Sequence, residues 1–165
     1  IPYSVPDCTS KNFTEVPGWE TTGTVEYWSG RGWQTFYYYK AWIFGTTKEE
    51  GALFSPTFYT PASTEVDYTA SMCYWTTGLA SGTTTIYSGV TTGKNAVTTN
   101  SKSLSHVYRV AGQAPTNNQY SNISHTVSIP KGNTYRIYIS DAHGDKNNSA
   151  ENWVCMRSFE VKYKE

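Results

Sequence analysis

Leucine is nearly missing from this chain: Leu53, Leu79 and Leu104 are the only three in 165 residues. The mix of Ala, Leu, Glu and Lys that favours helices is thin, and no window sustains a capped 3.6-residue apolar period, which argues against a helical domain. Net charge is missing too, with 13 basic against 13 acidic residues. Nucleic acid needs a basic footprint to neutralise its phosphates, and no run of like charge points to an anionic membrane surface. No apolar run approaches the roughly 20 residues of a transmembrane helix. Cysteine is scarce: Cys8, Cys73 and Cys155 match no zinc spacing and allow at most one intramolecular disulfide. Three buried small residues and a single bridge are both compatible with that count. No signal peptide is visible, and the opening at Ile1 reads as a mature or trimmed product.

What is abundant is aromatic and hydroxylated. The chain holds 14 Tyr, 6 Trp and 6 Phe, and Ser and Thr together number 41. Aromatic and β-branched side chains fit a pleated, half-buried surface. Strand patterns fall at residues 24–28, 33–45, 52–56, 65–76, 83–88, 104–110, 123–129, 134–140 and 153–163. Residues 65–76 alternate most clearly: Val66, Tyr68, Ala70, Met72 and Tyr74 share one face, and Asp67, Thr69, Ser71, Cys73 and Trp75 the other. Residues 33–45 are aromatic or apolar on both parities. Pro130-Lys131-Gly132-Asn133 is a hairpin turn. Residues 89–103 read as a loop or edge, 111–122 as a polar loop around Pro115, and 141–152 as another polar loop. Nine or ten short strands punctuated by turns predict an all-β fold, an antiparallel two-sheet β-sandwich of jelly-roll type. It is read as a single domain over 1–165, with 1–22 an irregular lead-in.

Phe13, then Pro17-Gly18-Trp19, then Trp28 or Trp33, then Gly51-Ala52-Leu53-Phe54-Ser55-Pro56, then a long alternating strand, make a pattern. It resembles the cleaved-adhesin and choice-of-anchor domains of bacterial cell surfaces, relatives of the MAM and concanavalin-like sandwiches. The resemblance covers nearly the whole chain and implies an extracellular jelly roll with an adhesive or carbohydrate-binding role. It also implies a structural calcium held by acids of the first and last strands. Here the opening Phe-Glu pair is spread over Phe13-Thr14-Glu15, and the closing strand reads Met156-Arg157-Ser158-Phe159 with no aspartate.

Sugar binding needs flat rings for the C–H face of a pyranose and a few convergent polar groups for its hydroxyls. The segment Trp28-Ser29-Gly30-Arg31-Gly32-Trp33 offers both, and Tyr38, Trp42, Trp75 and Trp153 extend the platform if their faces are open. The polar stretch 140–148 adds His143, and its Asp141, Asp145 and Asn147 have a spacing that calcium, an oxygen-seeking ion, accepts. Catalysis has little to stand on. There is no Gly-x-Ser-x-Gly elbow, the three histidines lie far apart, and no two carboxylates are visibly paired. The expectation is a non-catalytic module that binds a neutral glycan by aromatic stacking. Its place is outside the cell, secreted or surface-attached, a lipoprotein anchor included, and other domains of a larger surface protein are its neighbours. The alternatives are a protein-contacting adhesive module and a sandwich-fold glycosidase or lyase.

Overall fold

A computed structural model describes residues 18–23, 25–28, 41–44, 51–60, 62–76, 83–93, 95–108, 115–141 and 153–163. Twelve strands are formed by these residues: β1 (Glu20–Thr22), β2 (Val25–Trp28), β3 (Ala41–Phe44), β4 (Ala52–Phe54), β5 (Phe58–Tyr59), β6 (Thr64–Thr76), β7 (Thr83–Thr92), β8 (Asn95–Ala96), β9 (Asn100–Tyr108), β10 (Ser121–Ile129), β11 (Thr134–Asp141) and β12 (Trp153–Tyr163). Among the described residues there is no α-helix, and one 3-10 turn spans Asn117–Gln119.

Two layers result. In the front layer β10 pairs with β6, β6 with β12, β12 with β3 and β3 with β2, all antiparallel. In the back layer β9 pairs with β7, β7 with β11, β11 with β4 and β4 with β1. β9 belongs to both. Its first half runs antiparallel to β7, and its end, His106–Tyr108, runs parallel to Tyr74–Thr76 of β6. Among the described residues the pairing is therefore antiparallel except at this crossing, where one strand closes the sandwich along one side.

The parity of β6 holds as read. Val66, Tyr68, Ala70, Met72 and Tyr74 enter the main core between the layers, against Leu53, Ile86, Val90, Ile137 and Ile139 of the back layer. The other face also becomes core over its second half, because Cys73 and Trp75 join Ala41, Ile43, Trp153 and Cys155 in a second cluster outside the front layer. The motifs that carried the resemblance meet in space. Gly18 sits at φ +97° over Pro56, and Arg136 Nη1 donates to both the Gly18 and Ser55 carbonyls at 2.8 Å. Ser55 Oγ accepts from Ile137 N–H at 2.9 Å, continuing the ladder one step past β4 before proline ends it.

Three expectations differ from the fold. Residues 89–103 are mostly ladder rather than loop, since β7 runs on to Thr92 and β9 begins at Asn100. Gly89 is the reason the sequence misleads there. Thr98 crosses above it with its carbonyl oxygen 2.1 Å from where a Cβ would stand, so glycine marks a close chain approach and not a turn. The lead-in ends in a strand, β1, and β10 starts inside the expected polar loop, at Ser121. Residues 33–40 of the longest strand pattern lie outside the described residues.

Candidate functional site

Strand parity builds a polar surface on the outer face of β10, β6 and β12. The registers Ser124↔Thr69 and Thr126↔Asp67 on one side, and Glu160↔Thr69 and Lys162↔Asp67 on the other, set six polar side chains in adjoining rows. They line a groove of about 330 Å³ that Tyr68 and His125 also border, a volume at the small end of ligand sites. Thr126 Oγ1 donates to Asp67 Oδ1 at 2.5 Å, and the Thr69 and Ser124 hydroxyls share a hydrogen bond of 2.9 Å. Lys162 Nζ stands 3.4 Å from Glu160 Oε1. The groove thus offers carboxylate acceptors, an ammonium donor and hydroxyls able to do either.

A bulge interrupts β12 on the N-terminal side of Glu160. The β6–β12 register slips between Met156 and Ser158, so Arg157 is the extra residue. Without that slip Met156 and Phe159 could not both face the main core, as they do. Arg157 reaches over the outer face: Nε donates to Ser71 Oγ at 3.1 Å, Nη1 to Asn117 Oδ1 at 2.5 Å, and the guanidinium lies 4.2 Å from the centre of the Tyr120 ring. Tyr120 is half-buried and packs against the second cluster. Gln119 Oε1 accepts from Thr116 N–H at 2.9 Å, closing the 3-10 turn that delivers it.

The expected site residues separate into three groups. Trp75 and Trp153 are 1% and 4% exposed, with ring centres 5.7 Å apart, and Trp75 Nε1 donates to the Tyr108 carbonyl. They are core, and neither presents a face on which a sugar can stack; their parity was legible, the cover over it was not. Trp42 faces the main core, where it meets Trp19 at 5.9 Å and Tyr27 at 5.5 Å. Arg31, Trp33, Tyr38, His143, Asp145 and Asn147 lie outside the described residues, and Trp28 is described only as the backbone end of β2, opposite Ala41. Asp141 is fully buried at the end of β11, and its Oδ1 accepts from Gly51 N–H at 2.8 Å. Among the described residues no group of His, Cys, Asp and Glu converges to hold a metal, and the expected partners of Asp141 in a calcium set, Asp145 and Asn147, lie outside those residues.

The groove residues escaped sequence reasoning because each is an ordinary polar position of a half-exposed strand. Asp67 and Thr69 were placed on a shared face, but what lies beside them depends on strands 55 to 95 positions away. Three titrating groups are displaced by the packing. Burial pushes the Cys73 thiol up to about 12, against a smaller opposing pull from Arg157. Burial raises the Tyr68 hydroxyl, which bonds to Ser88 at 2.8 Å and accepts from Asn100 at 3.1 Å. His125, beside the Tyr68 ring at 5.5 Å, is held below its ordinary value by burial first and Lys102 second.

No family model matches the chain, and no curated protein matches it significantly. Solved structures do. A structure of TmCBM61 in complex with β-1,4-galactotriose matches with a TM-score of 0.56 at 12% identity, over 96% of this chain and 95% of that one. The K3 cleaved adhesin domain of Lys-gingipain from Porphyromonas gingivalis W83 matches with a TM-score of 0.55 at 14% identity, over 96% and 99%. The CBM22-1–GH10 modules of Clostridium thermocellum xylanase 10B, complexed with xylohexaose, match with a TM-score of 0.54 at 15% identity, over all of this chain and 29% of that one. The chain therefore has the jelly-roll sandwich of carbohydrate-binding modules and cleaved adhesin domains, the fold that the Gly18-Trp19 and Ser55-Pro56 resemblance implied.

Proposed function

We propose that this chain is a non-catalytic, extracellular glycan-binding module, and that it takes a neutral saccharide in the groove on the outer face of β10, β6 and β12. The observation that carries the reading is the groove itself, whose outward side chains all hold hydroxyl, carboxylate or ammonium groups. Sugar hydroxyls donate to Asp67 and Glu160 and accept from Lys162. The stacking and polar contacts expected from the sequence at Trp28, Arg31, Trp33, Tyr38 and His143 belong to the same proposal. The galactotriose complex of TmCBM61, and the xylohexaose complex of the xylanase modules that include a domain of this fold, support the ligand class.

Asp67 and Glu160 are not read as a catalytic pair. They stand on neighbouring strands with the same parity and point out of one sheet face. Glycoside hydrolysis needs two carboxyl groups flanking the scissile bond.

Native affinity electrophoresis tests the proposal, with galactan, xylan or mannan cast into the gel. Retardation by at least one polysaccharide is expected, and its loss in the Asp67→Ala variant. A folded protein that migrates unretarded in all of them, and in a wider panel of microbial polysaccharides, overturns it. The adhesive, protein-contacting reading is favoured by one observation, that all four described indoles (Trp19, Trp42, Trp75 and Trp153) are packed rather than exposed.

A further inference from the structure

The second core holds two thiols that no part of the glycan reading uses. Cys73 and Cys155 are direct partners in the β6–β12 register, and both stand as thiols with at most 1% of their surface exposed. Directly opposed residues of an antiparallel ladder have Cα atoms about 4.5–5.5 Å apart. That separation falls inside the about 4.4–6.8 Å that a disulfide spans. Both side chains project from the same sheet face, with Trp75 and Trp153 as the next opposed pair on that face, two positions along the ladder. Cys8, by contrast, lies far from either in sequence and outside the described residues.

We propose that Cys73 and Cys155 form a cross-strand disulfide when the chain folds in an oxidising compartment, with a low-molecular-weight disulfide such as oxidised glutathione as oxidant. One cysteine thiolate attacks the glutathione disulfide, forming a mixed disulfide and releasing one glutathione thiolate. The second cysteine thiolate attacks the mixed disulfide at the protein sulfur and releases the other. Two protein thiols are oxidised, one glutathione disulfide is reduced to two thiols, and the cysteine protons pass to the released glutathione.

The reaction belongs to folding and not to the finished fold. In the closed structure the second core screens both sulfurs from an oxidant, and burial keeps the Cys73 thiol protonated at neutral pH, which suppresses its attack. A bridge made early is sealed in, and a pair folded reduced stays reduced. The bridge would tie together the two strands whose other ends carry Asp67, Thr69, Glu160 and Lys162, across the bulge at Arg157.

The test is to denature and reduce the chain, refold it in a glutathione redox buffer, denature it without reductant, alkylate it and map its peptides. A Cys73–Cys155 linked peptide is expected, with an intact mass lower by about 2 Da for the two hydrogens lost. The Cys8→Ser variant, which removes the competing thiol, should give the same bridge. Alkylation of both Cys73 and Cys155 in the oxidatively refolded protein, or a bridge that joins Cys8 to either of them, overturns the proposal. A second arm adds oxidised glutathione to protein already folded in reductant. No bridge within hours is expected there, and rapid bridging would overturn the sealed-core part of the argument.

Discussion

The guanidinium of Arg157 lies over the ring of Tyr120, 4.2 Å from its centre, and joins a bulge in β12 to the segment that leads into β10. Arg157 also donates to Ser71 and Asn117, so three separate pieces of the front layer meet on one side chain. Arg157→Ala is expected to lower stability by about 1–2 kcal/mol, since charge-assisted hydrogen bonds and ring contact are lost while part of the site stays wet. Urea unfolding measures this. A variant as stable as the parent would show that the contact holds nothing in place.

Groove variants should separate binding from folding. Asp67 accepts from Thr126 on the solvent side of the sheet, so Asp67→Ala removes a sugar-facing acceptor without opening the core. Its affinity for a retarding polysaccharide is expected to fall about tenfold, equivalent to about 1.4 kcal/mol, with an unchanged thermal midpoint. Isothermal titration against a soluble oligosaccharide gives the number. Equal binding by parent and variant would move the site away from this face.

Trp75→Ala should behave in the opposite way. Trp75 is buried against Trp153, Ile43 and the two cysteines. Truncating a buried indole costs about 3–5 kcal/mol. The expected result is a large drop in the urea midpoint, and ligand affinity measured well below that midpoint should change little. A stable Trp75→Ala protein with abolished binding would return this ring to the ligand site.

Gly89→Ala tests the close chain crossing. A methyl group there collides with the Thr98 carbonyl, which is backbone and has no rotamer to yield. The loop must lift, and with it the Thr98 Oγ1 contact to Val90 N–H at 2.7 Å. A loss of about 1–3 kcal/mol is expected. Faster hydrogen exchange at Val90 would locate the damage.

Below neutrality the pH dependence of stability has an identifiable source in His125. Its folded pKa is lowered, by burial and then by Lys102, with Tyr68 the other titratable group against it. The unfolded chain therefore takes up the proton first. Stability should be constant above about pH 6.5, fall as the pH drops below that value, and level off once the folded imidazole also protonates. His125→Gln should flatten this region of the curve. A slope of the opposite sign would mean that an anionic partner raises the group instead.

The alternation of Val66 to Tyr74 declared its own two faces, because side-chain direction in a strand has a period of two and is set locally. The stretch 153–163 was bounded at both ends for the same reason, and the turn at Pro130–Asn133 by its own residues. Composition likewise pointed to strands over helices, and among the described residues there is no α-helix. The neighbours of each strand were another matter. The stretch from Gly89 read as a loop or edge until Thr98 lay across that glycine, and Asp141 looked like a loop residue until its carboxylate met Gly51, 90 positions earlier. Which aromatic rings are covered, which polar rows adjoin to make a groove, and which two cysteines face each other all follow from strand order and register. Those are long-range pairings, and no local stretch of chain encodes them separately.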